Sequence, residues 1–119
     1  MILGAHTILY ATDAEAARAF LRDVLGLAHV DAGGGWLIFR SPPAELAVHP
    51  AETPENGRIE LYLMCDDLAA TMAELTAKGV RFTSAVSEAR WGLLTTLAVP
   101  GAGEIGLYEP RHPVAYDLT

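Results

Sequence analysis

The sequence contains a single cysteine, only eight basic residues and no long apolar run. Cys65 has no partner for an internal disulfide, so a reducing cytoplasm is the expected compartment. No segment approaches the ~20 apolar residues of a membrane-spanning helix, and the N-terminus does not resemble a signal peptide, so we expect no membrane association. The basic residues are scattered, whereas phosphate binding needs them clustered, so nucleic acid is not an expected partner.

The remaining composition is that of one globular domain spanning residues 1–119. Apolar residues make up 51% of the chain and charged residues 19%, and the net charge is −7. These proportions are typical of a folded domain with its own core. The acidic balance is compatible with a cationic small-molecule ligand, but we favour solubility alone as its explanation.

The first half of the chain has the pattern of one strand, one helix and three strands. Residues 2–11 are apolar and β-prone, and Thr12 with Glu15 matches a capping box that predicts a helix start. The helix would end at Gly26, and further short strands are predicted over 28–31, 35–41 and 44–49. Its predicted buried stripe consists of Ala17, Phe20, Leu21, Val24 and Leu25.

The second half repeats this order after a polar linker over residues 50–57. A strand is predicted over 58–65, a helix capped by Asp66-Asp67 and ended by Lys78-Gly79, and strands over 80–84, 91–98 and 104–109. Its buried stripe would be Leu68, Thr71, Met72 and Leu75. A shift of 54 places aligns His6 with Glu60 and Asp13 with Asp67. The sequence therefore predicts an α+β fold of two tandem βαβββ units, over about 1–50 and 57–110, whose curved mixed sheet surrounds a cleft.

Several short strings resemble those of the vicinal-oxygen-chelate superfamily, which includes glyoxalase I, extradiol dioxygenases and bleomycin-resistance proteins. They are His6 before the Asp13 helix start, Phe20-Leu21 with Leu25-Gly26-Leu27, Asp66-Asp67-Leu68, and the closing string over 103–110. Their order and spacing cover nearly the whole chain. The resemblance implies the glyoxalase/bleomycin-resistance fold and a homodimer in which each cleft is shared between subunits.

The resemblance also implies a metal ligand on the first and last strand of each unit. The first-strand positions carry His6 and Glu60, whereas the last-strand positions fall on Ala47 and Gly106, which have no ligating atoms. Two ligands are too few for a catalytic divalent ion, so we favour a protein with no metal or other cofactor. In the alternative, His49 lies two residues beyond Ala47 on the same strand face, and completes a set of His6, His49 and Glu60 around a divalent metal ion.

Loss of the chelating side chains favours a bulky, partly flat organic ligand that stacks on aromatic rings. Some of these rings could instead fill the core. The candidate ligand-binding residues are Tyr10, Trp36, His49, Tyr62, Trp91 and Tyr108. The leading hypothesis is a non-enzymatic resistance protein that sequesters an aromatic or cationic natural product in a dimer cleft.

Two enzymatic alternatives remain open from the sequence. The first is a metal-dependent lyase, isomerase or dioxygenase of the glyoxalase type that uses His6, His49 and Glu60. The second is a cofactorless biosynthetic enzyme in which His6 or Glu60 acts as general base.

Overall fold

The computed structural model describes residues 6–48, 50 and 52–118. The fold is mixed α+β, as predicted. In chain order its elements are α1 (Ala14–Ala19), a π-helical turn (Phe20–Val24), β1 (His29–Asp31), β2 (Leu37–Phe39), a 3-10 turn (Thr53–Glu55), β3 (Tyr62–Met64), α2 (Leu68–Ala77), β4 (Ser87–Ala89), β5 (Gly92–Val99) and β6 (Gly103–Pro110).

The second unit forms a complete βαβββ arrangement. Its four strands lie in the order β3-β6-β5-β4, with β3 parallel to β6 and the other neighbours antiparallel. The Asp67 side chain caps α2 by accepting a hydrogen bond from Ala70 N at 3.0 Å, as predicted. Gly79, with φ of 87°, supplies the left-handed residue that ends the helix.

The edge of this sheet differs from the prediction of a strand over 80–84. In that segment only Phe82 forms a β-bridge, opposite Leu97. The edge strand is β4, which begins at Ser87 and pairs with β5. The backbone ladder is interrupted at Ser84, whose hydroxyl accepts from Thr96 N while its carbonyl accepts from the Thr95 hydroxyl. These side-chain bonds replace the backbone pairs that would continue the strand.

The first unit is less complete than the sequence predicts. Strands β1 and β2 form a separate antiparallel pair, but residues 6–11 and 44–48 are not strands. The remaining positions of those two predicted strands, residues 2–5 and His49, lie outside the described residues. A β-prone segment becomes a strand only beside a neighbour that accepts its hydrogen bonds. Here large apolar side chains of both segments face solvent instead, with Tyr10 86%, Leu46 97% and Val48 94% exposed.

Helix α1 begins one residue later than the capping-box prediction. Asp13, not Thr12, is the capping residue, and it accepts from Ala16 N at 3.0 Å. Thr12 instead donates its hydroxyl to Gly101 O, and Asp13 N donates to the same carbonyl at 3.1 Å. The start of α1 is therefore held on the turn between β5 and β6, in the second unit.

One core cluster contains residues of both helical stripes and of the second sheet. Phe20 from the π-helical turn and Leu68 and Leu75 from α2 are buried with the inward side chains of β5 and β6. The complete cluster is Ala17, Phe20, Leu68, Leu75, Val80, Leu97, Val99, Ile105 and Leu107. Neither helix in the part of the chain that the structure describes is long and apolar enough to cross a bilayer.

Candidate functional site

The candidate site lies on the face of the second sheet that points away from the helices. Successive residues of a strand point to opposite faces. Because Ile105 and Leu107 join the core, Gly106 and Tyr108 face the other way. Tyr62 pairs with Gly106 in the β3–β6 register, so it shares this open face.

Three aromatic rings, of Tyr62, Trp91 and Tyr108, pack together on this face and are called the aromatic cluster below. Their centroids lie 5.7 Å (Tyr62–Trp91), 5.9 Å (Tyr62–Tyr108) and 5.0 Å (Trp91–Tyr108) apart, with interplanar angles between 74° and 90°. Such edge-to-face contacts are the favoured geometry for aromatic pairs. The backbone of Trp91 is held by the segment that follows β6, since the Trp91 carbonyl accepts a hydrogen bond from Arg111 N at 2.9 Å. Three of the predicted ligand-binding residues are thus in contact.

The aromatic cluster depends on the missing side chain at Gly106. A Cβ at this position would lie closer than 3.0 Å to three carbons of the Tyr62 ring, a distance that real Cβ atoms do not keep. The Tyr62 ring therefore occupies the space where a side chain of residue 106 would begin. A carboxylate at this position would require the ring to move away.

Glu45 and His112 form a polar margin beside Tyr108. The Tyr108 hydroxyl donates to Glu45 Oε1 at 3.4 Å and lies 3.2 Å from His112 Nε2. The imidazole ring also stacks on Tyr108, with centroids 6.0 Å apart. Burial raises the pKa of Tyr108 above its ordinary value, and the nearby Glu45 carboxylate raises it further.

Glu60 was predicted to lie within a strand over 58–65, but the strand in the structure is shorter and begins at Tyr62. Glu60 precedes β3, is exposed, and forms an ion pair with Arg58. Its negative charge acts on Tyr62, whose pKa is raised first by burial and then by Glu60. The carboxylate lies close enough to influence the aromatic cluster, while Arg58 balances its charge.

The other predicted site residues lie apart from this cluster or outside the described residues. His6 and Tyr10 are exposed in the segment before α1. Trp36 is 63% exposed and lies under the Arg18 guanidinium, whose carbon is 4.8 Å from the ring centroid. His49 is outside the described residues, so its role in ligand or metal binding stays a prediction.

The described residues do not match the four-ligand metal site of the resemblance. Gly106 has no side chain and its space is taken by the Tyr62 ring, while Ala47 is exposed. Within residues 6–48, 50 and 52–118, no three His, Cys, Asp or Glu side chains converge as a metal site. The alternative set of His6, His49 and Glu60 includes a residue outside these ranges and is not tested by this geometry.

Sequence reasoning did not identify Glu45 or His112 as site residues. Glu45 lies two residues before Ala47, so strand alternation would have placed both on one face. That spacing was the available signal. His112 follows the last predicted strand, and no local pattern indicated that the chain returns to Tyr108.

The βαβββ unit of the second half identifies the fold class, and a comparison with protein families identifies the family. The family model of the Glyoxalase/Bleomycin resistance protein/Dioxygenase superfamily matches residues 5–110. The chain belongs to this superfamily. A comparison with curated proteins found no match.

Solved structures support the same fold at low sequence identity. TnmS3, described as an antibiotic binding protein from Streptomyces sp. CB03234, is 24% identical, with a TM-score of 0.63 over 92% of this chain and 98% of that one. A lactoylglutathione lyase from Agrobacterium tumefaciens is 22% identical, with a TM-score of 0.63 over 90% and 92%. A superfamily member from Sphaerobacter thermophilus DSM 20745 is 24% identical, with a TM-score of 0.60 over 91% and 98%.

We predict that Gly106→Ala destabilises the protein because the added methyl group displaces the Tyr62 ring. Overpacking of this kind costs about 1–3 kcal/mol of unfolding free energy. Urea unfolding of Gly106→Ala, Tyr62→Ala and the double variant measures the coupling. The cost of Gly106→Ala should fall in the Tyr62→Ala background. An equal cost in both backgrounds would show that the two residues do not compete for this space.

Proposed function

We propose that the protein binds and sequesters an aromatic or cationic small molecule, without a metal ion, in a cleft completed by a second copy of the chain. The contact of Tyr62, Trp91 and Tyr108 above Gly106 carries this proposal. This contact gives the open sheet face a surface for stacking. The surface lies at the position where the resemblance implies a metal-binding side chain. The antibiotic-binding description of TnmS3 is consistent with a role in antibiotic resistance.

The aromatic cluster suits stacking because its rings pack edge to face and two of the three are only partly covered. Tyr62 and Trp91 are partly buried, whereas Tyr108 is 7% exposed and contacts both of them. A flat ligand that covers the accessible rings loses apolar surface to water, and it gains ring contacts without first having to order flexible side chains.

The metal-free part of the proposal is supported by the lack of donor atoms at the two positions where the resemblance implies metal ligands on the last strands. Ala47 and Gly106 supply none, and Glu60 already pairs with Arg58. A divalent ion needs several N or O donors around one point. The competing hypothesis of a metal-dependent enzyme needs His49 to complete the set of metal donors. Under that hypothesis, His6→Ala should remove bound metal and activity together.

Solvent-exposed apolar side chains in the first unit support a second copy as the missing wall of the cleft. Ile8, Tyr10, Leu46 and Val48 lie in the two segments that were predicted as strands but lack a strand neighbour. Apolar exposure on this scale is typical of an interaction surface. Two depressions over the described residues lie beside α1 and the turn at Gly34 and Gly35, and neither is lined by the aromatic cluster. A single copy thus leaves the aromatic face open.

We predict that Leu46→Asp with Val48→Asp converts a dimer into a monomer. Charges at the interface would have to be desolvated on association. Light scattering after size exclusion should give twice the 12.7 kDa chain mass for the unaltered protein and the single mass for the double variant. Leu118→Asp, which changes an exposed leucine near the C-terminus, is the control and should remain dimeric. A monomeric unaltered protein would contradict the shared cleft.

Proflavine, a planar aromatic cation, provides a direct test of binding at the aromatic cluster. Its absorbance overlaps tryptophan emission, so binding quenches nearby tryptophans. We predict saturable quenching in Trp36→Phe, which retains only Trp91, and weaker quenching in Trp91→Phe, which retains only Trp36. The quenching should persist in EDTA. Quenching that requires an added divalent metal, or that comes from Trp36 alone, would overturn the proposal.

A further inference from the structure

Glu45 brings a carboxylate from the first unit to the edge of the aromatic cluster. Its Oε1 accepts from the Tyr108 hydroxyl at 3.4 Å, and its Oε2 accepts from Ala115 N at 2.5 Å. Both donors are electrically neutral. None of the ion pairs between described side chains includes Glu45. Hydrogen bonds therefore satisfy part of this carboxylate. Its negative charge, however, is not balanced by an ion pair with any Lys or Arg among the residues that the structure describes.

Tyr108 and His112 extend this contact into a chain of three polar links. His112 Nδ1 lies 2.8 Å from Pro113 O, a carbonyl that can only accept, so Nδ1 carries a hydrogen. The other links join His112 Nε2 to the Tyr108 hydroxyl and that hydroxyl to Glu45. Three links need three hydrogens, whereas a neutral imidazole and one hydroxyl supply two. The chain of links is one hydrogen short.

A cationic donor at Glu45 would supply both the hydrogen and the charge. An ammonium N–H directed at Oε1 satisfies the carboxylate and leaves the Tyr108 hydroxyl free to donate to His112 Nε2. Hydrogen bonds between charged groups are roughly twice as strong as neutral ones. The Trp91 ring packs on Tyr108, which is the hydrogen-bond partner of Glu45, and the π-face of a tryptophan attracts cations. Glu45 is only partly buried, so a ligand can approach it from solvent.

We propose that Glu45 is the specificity-determining residue of a subsite for a protonated amine. This inference rests on the proposed function and narrows its ligand to an aromatic compound that carries such an amine. The aromatic cluster binds the flat part, and Glu45 recognises the charged group. The overall charge of −7 favours a cationic ligand at longer range as well.

Two probes of matched size test the preference: 1-naphthylmethylamine, which is a cation at neutral pH, and the uncharged 1-naphthylmethanol. Titration calorimetry of the unaltered protein should give about tenfold tighter binding of the amine. Glu45→Gln should remove this preference and leave the affinity for the alcohol unchanged. Glu74→Gln, which removes an exposed carboxylate on α2, is the charge-matched control and should retain the preference.

Equal affinities for the two probes, or weaker or absent binding of the amine, would overturn the Glu45 subsite. So would a preference that survives Glu45→Gln. Failure of the proposed function itself is distinguishable, because proflavine would then not quench Trp91.

A ligand-free measurement checks the contact on which the subsite depends. In a Tyr62→Phe background, ultraviolet titration follows the late-ionising Tyr108. Glu45→Gln should lower the pKa of Tyr108, because the negative charge is removed, but only part of the way to the ordinary value, because burial remains. An unchanged Tyr108 pKa would show that Glu45 does not act on this hydroxyl and would overturn the assignment.

Discussion

The close fit of the Tyr62 ring over the bare backbone of Gly106 determines the character of the open sheet face. The parallel pairing of β3 with β6 sets these residues opposite each other, and the missing Cβ lets the ring lie against the neighbouring strand. From this position Tyr62 contacts both Trp91 and Tyr108. A larger residue at 106 would separate these rings, so one glycine permits the whole aromatic cluster.

This fit changes the chemistry that the fold can support, because function on a shared fold lies in the site. At the positions that the sequence predicts for the last strands of the two units, Ala47 and Gly106 provide no donor. Glu45 lies two residues before Ala47, and Tyr108 lies two residues after Gly106. A hydrogen bond joins the side chains of Glu45 and Tyr108. The open sheet face thus combines an aromatic surface with a carboxylate at its margin, and the proposed function uses the first for stacking and the second for ion pairing.

Local patterns in the sequence predicted those parts of the fold that depend on local interactions. The helical stripes that contain Phe20 and Leu68, and the Asp67 cap, follow from spacing and capping along the chain. Strands over 6–11 and 44–48 did not form, because strand formation needs a neighbour that apolar alternation does not supply. The sequence named Tyr62 and Tyr108 as candidate ligand-binding residues, but the contact of Glu45 with Tyr108 spans 63 positions and has no local signature.

The central claim, that an aromatic surface has replaced the metal site, is tested most directly by the metal content of the protein. Protein purified without added metal or chelator should contain no stoichiometric Mn, Fe, Ni or Zn by elemental analysis. Its melting temperature should then stay constant when each divalent ion is added, since a ligand of the native state alone would raise it. A metal recovered at close to one equivalent per subunit, and lost in His6→Ala, would contradict the account.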